Sequence, residues 1–227
     1  MQFRFPGPAD RTTVIGATGS GKTTCGVWLL SAMPLASMPW VVIDFKRETL
    51  FDQVGMPPIR EIDYGTVPKR PGLYILSPNP GEEEPLEDWL WRVWERENTG
   101  LYIDEAMLMP DDKAMRAILQ QGRSKRLPVI ACTQRPVTIP RAFFSEASFF
   151  ALYRVQDRRD YDTVRGFVPG DVTSLLPEYH WRWYDVARNL LARMSPVPAD
   201  RIVPALRGAI PVTINPFAWM RPEPKRG

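Results

Sequence analysis

From Thr12 to about Val155 the chain alternates short apolar runs with longer stretches whose apolar residues recur at helical spacing. "TTVIGA" predicts a first strand, and "KTTCGVWLLSAM" a helix that must stop before Pro34, because a proline drives the preceding residue out of the helical region. "WVVIDF" is continuous in apolar residues, as a strand buried on both faces requires. "GLYIL" is shorter and flanked by prolines, which predicts a strand nearer an edge. "PLEDWLWRVWERE" places Leu86, Leu90, Val93 and Trp94 on one helical face, with its tryptophans as packing residues. "GLYIDEA" predicts the next strand. "DDKAMRAILQQGRS" predicts a helix whose two leading acids suit its N-terminal dipole. "LPVIACTQ" and "SFFALYRV" complete the strands, with a short helix from about Pro140 between them. Strand–helix alternation of this kind implies an α/β fold with a mostly parallel central sheet flanked by helices.

Beyond Pro177 the period changes. "HWRWYDVARNLLARMSP" predicts two strands around a turn near Arg188-Asn189. Prolines become dense after Pro196, and from Pro204 the pattern predicts an irregular arm, suited to packing on a neighbouring subunit. The expected organisation is a core over 1–176, a β-hairpin extension of the same domain over 177–203, and a C-terminal arm over 204–227.

The composition, 44% apolar and 24% charged over 227 residues, suits a folded domain. No apolar run reaches the roughly 18–20 residues needed to cross a bilayer, and "MQFRFPGPAD" carries no signal-like apolar segment, so a cytosolic or intraviral protein is expected. Cys25 and Cys132 are read as buried, reduced thiols. A single histidine, His180, excludes a His-rich metal site. Net charge is only +3, but unevenly spread: Glu82–Asp112 holds eleven acids and two bases, and Arg116–Arg165 ten bases and four acids. The second segment offers a basic surface for phosphates or simply solvated faces. Arg116, Gln120 and Arg123 have the spacing of one helical face.

At the first strand–helix joint stands Gly16-Ala17-Thr18-Gly19-Ser20-Gly21-Lys22-Thr23-Thr24, which satisfies G-x-x-x-x-G-K-[ST] in its required strand-to-helix context. Its glycines allow positive φ and let backbone N–H groups approach a phosphate, and the following helix directs its positive end there. Lys22 reaches the β- and γ-phosphate oxygens of a nucleoside triphosphate, and the Thr23 hydroxyl suits a bridging Mg²⁺.

About 80 residues on, "LYIDEA" brings two acids to a strand end. Asp104 is placed to support Mg²⁺, and Glu105 to polarise an attacking water, which favours hydrolysis over transfer to a small acceptor. Gln134, just past the "VIACT" run, suits contact with the γ-phosphate or the attacking water; a strand-capping amide is the other reading.

"GATGSGKTT", "VVIDFKRE", "LYIDEA" and "QGRSKRLPVIACTQRP", in this order, resemble the FtsK/HerA superfamily of P-loop DNA-pumping ATPases, over Thr12 to about Val172. The short, nearly bare motor is similar to the genome-packaging ATPases of tailless viruses with double jelly-roll capsids and internal membranes. The resemblance implies ATP and Mg²⁺ as ligands, and a homo-oligomeric ring, hexamer or pentamer, with nucleotide between subunits. It implies double-stranded DNA and capsid vertex proteins as partners, and a place at the packaging vertex of the virion or in the host cytoplasm. It also implies an arginine reaching the neighbour's γ-phosphate: Arg123 by its place in "QGRSKR", with Arg126 and Arg141 as alternatives. Asp44 and Lys46 match the family's post-strand acid and lysine, near the nucleotide, without an assigned role. Competing readings are an ATPase moving single-stranded DNA or protein, a nucleotide kinase, and a GTPase switch, the last lacking an N-K-x-D signature.

Overall fold

A computed structural model describes residues 3–56, 59–110 and 113–211. The elements run β1 (Arg11–Ile15), α1 (Lys22–Ser31), β2 (Pro39–Ile43), α2 (Thr49–Asp52), β3 (Arg60–Glu61), β4 (Gly72–Leu76), α3 (Glu83–Arg96), β5 (Gly100–Ile103), α4 (Lys113–Gln121), β6 (Val129–Thr133), α5 (Ala142–Ser145), β7 (Phe149–Leu152), α6 (Arg158–Arg165), β8 (Trp181–Asp185), β9 (Leu190–Met194) and α7 (Ala199–Ala209). The nine strands form one sheet in the order β3-β4-β2-β5-β6-β1-β7-β8-β9. From β3 to β7 every pairing is parallel, and β8 and β9 add antiparallel.

The apolar runs predict strands covered on both faces, and two buried clusters do the covering. Ile15, Val41, Ile43, Leu101, Ile103 and Val129 point to one side, against Leu86, Leu90 and Val93 of α3, Ile118 of α4 and Phe143 of α5. Their neighbours Val14, Val42, Tyr102, Ile130 and Cys132 point to the other, against Val27, Leu29 and Leu30 of α1 and Ile202 and Leu206 of α7. Each such aliphatic side chain contributes roughly 1.5–3 kcal/mol by leaving water.

The hairpin extends the sheet through aromatic pairs across the β7–β8 ladder: Phe149 on Trp183, with ring centroids 4.9 Å apart, and Phe150 on Tyr184, 6.2 Å. The N-terminal segment fastens this end. Arg4 donates twice to the buried Asp185, at 3.2 Å each, lies over the Phe149 ring, and accepts from Trp183 Nε1 through its carbonyl.

The structure departs from the sequence pattern in four places. "GLYIL" is not quite at the edge, since the two-residue β3 pairs outside it. α6, a strongly polar helix capped by Asp157 accepting from the Arg159 N–H, carries too few apolar residues to announce itself. The arm expected to be irregular from Pro204 begins inside α7, where Pro204 is tolerated because Ile202 and Leu206 pack α7 on α1; the rest of that arm, 212–227, lies outside the described residues. α4 ends at Gln121, so Arg123 sits on the tight turn beyond it and not on the face of Arg116 and Gln120. The two leading acids, Asp111 and Asp112, also lie outside the described residues. Among the described residues no helix is long and apolar enough to cross a membrane.

Candidate active site

β1 lies between β6 and β7, so the loop that leaves it is held from both sides. Gly16 N–H donates to the Thr133 carbonyl (3.1 Å) and Ala17 N–H to the Arg154 carbonyl (2.9 Å). A Cβ on Gly16 would stand 2.4 Å from Ser20 Oγ and 2.6 Å from Tyr153 Cβ, so only glycine fits the tightly wound loop. Gly19 and Gly21 take positive φ, 75° and 95°, and Gly21 is the left-handed residue that starts α1. The first intrahelical bond is Cys25 N–H to Gly21 carbonyl, which leaves the amides of Lys22, Thr23 and Thr24 pointing out of the helix start. The nine predicted loop residues therefore form one cradle. Ser20 Oγ is buried without a hydrogen-bond partner, and Lys22 is buried to 7% exposure.

Asp104 and Glu105 leave β5 beside this cradle, both 1% exposed. Tyr102 OH donates to Asp104 Oδ1 (3.3 Å), and Cys132 Sγ lies 3.6 Å from the same hydroxyl. Burial, then the neighbouring Glu48, pushes the Asp104 carboxyl up to about 6, against the pull of Lys22 and Lys46. A buried acid held up in this way, facing a lysine and the helix start, is suited to a cation that relieves it. Among the described residues no three His, Cys, Asp or Glu side chains gather as a metal cage. The Thr23 hydroxyl at the start of α1 and the raised Asp104 carboxyl are donors of the type Mg²⁺ takes, few in number and completed by phosphate oxygens.

Glu105 Oε2 is bound by Lys46 Nζ, while Oε1 is buried with no hydrogen-bond partner. Burial opposes the Lys46 charge, but the Glu105 carboxylate outweighs it and holds the ammonium above its ordinary range. Lys46 is set by Asp44, whose two oxygens accept the N–H groups of Lys46 (3.1 Å) and Glu48 (2.9 Å), with Arg47 turned into the left-handed region at φ 55°. The role of this pair was not legible in sequence, although D-x-K-x-E after an apolar run is its signal.

Gln134 joins the cradle directly: its Oε1 accepts from Thr18 Oγ1 at 2.5 Å, and Nε2 approaches Met107 Sδ at 3.7 Å. Two cavities of about 480 and 420 Å³ flank the loop, and the half-exposed Tyr179, at φ 57°, lines both. The sequence reading did not single out Tyr179.

The candidate trans arginines are not brought to this site. The loop leaves the C-terminal end of β1, whereas the Arg123 and Arg126 turn leads into the N-terminal end of the parallel β6. Arg141 sits before β7 at the same far end, its guanidinium 4.8 Å from the Phe167 ring centroid. Part of the basic segment is locally neutralised: Arg135 pairs with Asp160 and Asp157, and Arg158 and Arg165 with Asp162.

No family model matches the chain. Its fold is similar to that of the genome packaging NTPase B204 from Sulfolobus turreted icosahedral virus 2, solved with ATP-γS, at a TM-score of 0.66 and 17% identity over 84% of this chain and 99% of that one. It is also similar to ATPases 2 and 3 of EssC from Geobacillus thermodenitrificans, at a TM-score of 0.63 and 14% identity over 88% of this chain and 43% of that one. These identities establish likeness of fold. Likeness of sequence comes from the DNA packaging ATPase P9 of Enterobacteria phage PRD1, 37% identical over 216 residues, covering 89% of this chain and 94% of that protein. The chain belongs to the family of that DNA packaging ATPase.

Proposed function

We propose that this protein hydrolyses ATP to drive double-stranded DNA into a preformed viral capsid, acting as a ring with nucleotide sites shared between subunits. The observation that carries the ATPase reading is the convergence of the phosphate cradle, Asp104, Glu105 and Gln134 on one end of the sheet. DNA as cargo rests on the family.

In this mechanism the backbone amides from Gly19 to Thr24 and the Lys22 ammonium hold the triphosphate. Mg²⁺, held by the Thr23 hydroxyl with support from Asp104, would neutralise charge on the β- and γ-phosphates when bound. Glu105 orients a water and takes its proton as the water oxygen attacks the γ-phosphorus, while the bond to the β,γ-bridging oxygen breaks. Gln134, coupled to Thr18 at the loop tip, aligns that water or the γ-phosphate. Stabilisation of the charge spreading over the γ-oxygens falls to an arginine of the neighbouring subunit, with Arg123 first and Arg126 and Arg141 as alternatives. Their position at the opposite end of the sheet from their own loop is compatible with service to another subunit's site. The exposed Arg116, together with whichever of Arg123 and Arg126 does not serve a neighbour's nucleotide, offers sequence-independent contacts to DNA phosphates. Capsid vertex proteins are the docking partners, at the virion's packaging vertex or in the host cytoplasm before assembly.

The test is ATP turnover of the purified protein with and without long duplex DNA and capsid. Stimulation by both is expected, with Glu105→Gln binding ATP but not turning it over. Turnover indifferent to DNA even with capsid present would sink the translocase reading. Mixing Arg123→Ala with Lys22→Ala protein should restore activity if sites are shared; no rescue removes Arg123 from that role.

A further inference from the structure

Lys46 lies next to the cradle but has no part in the mechanism above. Its ammonium binds Glu105 Oε2, so the proposed base is engaged in an ion pair. A carboxylate neutralised by a bound ammonium is a poorer proton acceptor than a free one. The other oxygen, Oε1, is buried and has no hydrogen-bond partner, so it is left for a donor that the described residues do not supply. The lysine itself is differently placed. Its backbone N–H is held by Asp44 Oδ1, with Asp44 Oδ2 holding the Glu48 N–H two residues on, but its side chain is 39% exposed, a fixed mount for a movable arm. The Asp104 carboxyl feels both Lys22 and Lys46, so the Lys46 ammonium and the cradle lysine lie within electrostatic range of one acid.

We propose that Lys46 senses the triphosphate: it holds Glu105 in the empty and ADP-bound site, and transfers to the γ-phosphate when ATP binds, releasing the Glu105 carboxylate to the attacking water. This inference rests on the ATPase reading and adds to it a condition for firing, that the base is freed only when a γ-phosphate is present. Two anions compete for one ammonium, and the phosphate, carrying more charge, wins. No bond is made or broken in the exchange.

The test compares binding of ADP and of ATP-γS, with turnover measured alongside. Lys46→Met should bind ADP as the parent does, lose about tenfold or more in ATP-γS affinity, the scale of one charged hydrogen bond, and lose turnover; Lys46→Arg should recover part of both. Glu105→Gln removes the competitor and should raise ATP-γS affinity without changing that for ADP. If Lys46→Met weakens the two nucleotides equally, or neither, Lys46 does not touch the γ-phosphate and the proposal is wrong. Should Lys46→Met fail to fold, an unchanged ATP-γS to ADP ratio in Glu105→Gln overturns it instead. Because both arms read binding, they stand even if the parent protein proves unable to hydrolyse ATP, an outcome that would remove the ATPase reading separately.

Discussion

Replacing Asp104 by asparagine should stabilise the nucleotide-free protein while disabling it. The carboxyl is 1% exposed and held at about 6, against an ordinary value of 3.8, first by burial and then by Glu48. A folded-state value above the unfolded one means that the folded protein binds the proton more tightly. Stability is therefore full below about pH 4, falls between about pH 4 and 6, and is level above that. Each pH unit of difference is worth about 1.4 kcal/mol, so the ionised carboxylate costs the empty fold roughly 3 kcal/mol at pH 8. Asparagine keeps the acceptor oxygen for the Tyr102 hydroxyl and carries no charge to desolvate. For a domain of this size about 3 kcal/mol is a rise of roughly 6–12 °C in Tm. Thermal melts of parent and variant, without nucleotide and in chelator, should show that gap at pH 8 and almost none at pH 4. A gap of equal size at both pH values would show that packing rather than charge is responsible. An asparagine variant less stable than the parent at pH 8 would refute the electrostatic account altogether.

Gly16→Ala should lower ATP affinity by about tenfold or more in a fluorescent-nucleotide titration, because the new Cβ has no room between Ser20 and Tyr153; unchanged affinity would mean that the cradle tolerates rebuilding. Arg4→Ala leaves the buried Asp185 without its two-pronged partner and strips a cation from the Phe149 ring. A loss of roughly 2–4 kcal/mol in urea unfolding is expected, and a loss under about 1 kcal/mol would show that Arg188, whose Nε lies 3.8 Å from Asp185 Oδ2, alone satisfies the acid. Gln134→Ala should cut kcat by about tenfold or more with ATP binding little changed; an amide that merely caps β6 would alter the melting temperature and leave kcat alone.

Six of the seven parallel strands and the cradle were legible because their signals are local: continuous apolar runs, and a nine-residue loop with its own consensus; the two-residue β3 carries no such run. The hairpin was legible for the same reason, in "HWRWYDVARNLLARMSP". What escaped depends on distant partners. α7 contains a proline and only three large apolar residues, Ile202, Val203 and Leu206, and holds together because α1 offers it a face. α6 is polar nearly throughout and ties back through Asp160, which accepts from Val137 N–H and pairs with Arg135. In the site, the loop residues, the acids and Gln134 could be named from spacing. The Lys46–Glu105 pair could not, since 59 positions separate its members. The Arg123 face was misjudged because a helical period was extended past the residue where α4 stops.

The place of β1 between β6 and β7 has a consequence for how the protein is made. The strand is complete by residue 15, but its two neighbours span Val129–Thr133 and Phe149–Leu152. The carbonyls that hold Gly16 and Ala17 belong to Thr133 and Arg154. During synthesis the cradle must therefore wait, unpaired, until some two-thirds of the chain has emerged, since contacts this far apart in sequence close slowly. A nascent or truncated chain that ends before Arg154 carries the entire ATP-binding consensus but lacks the carbonyl that holds Ala17. The loop is thus shaped by the pairing of β6 and β7 on β1, before β8 and β9 complete the sheet.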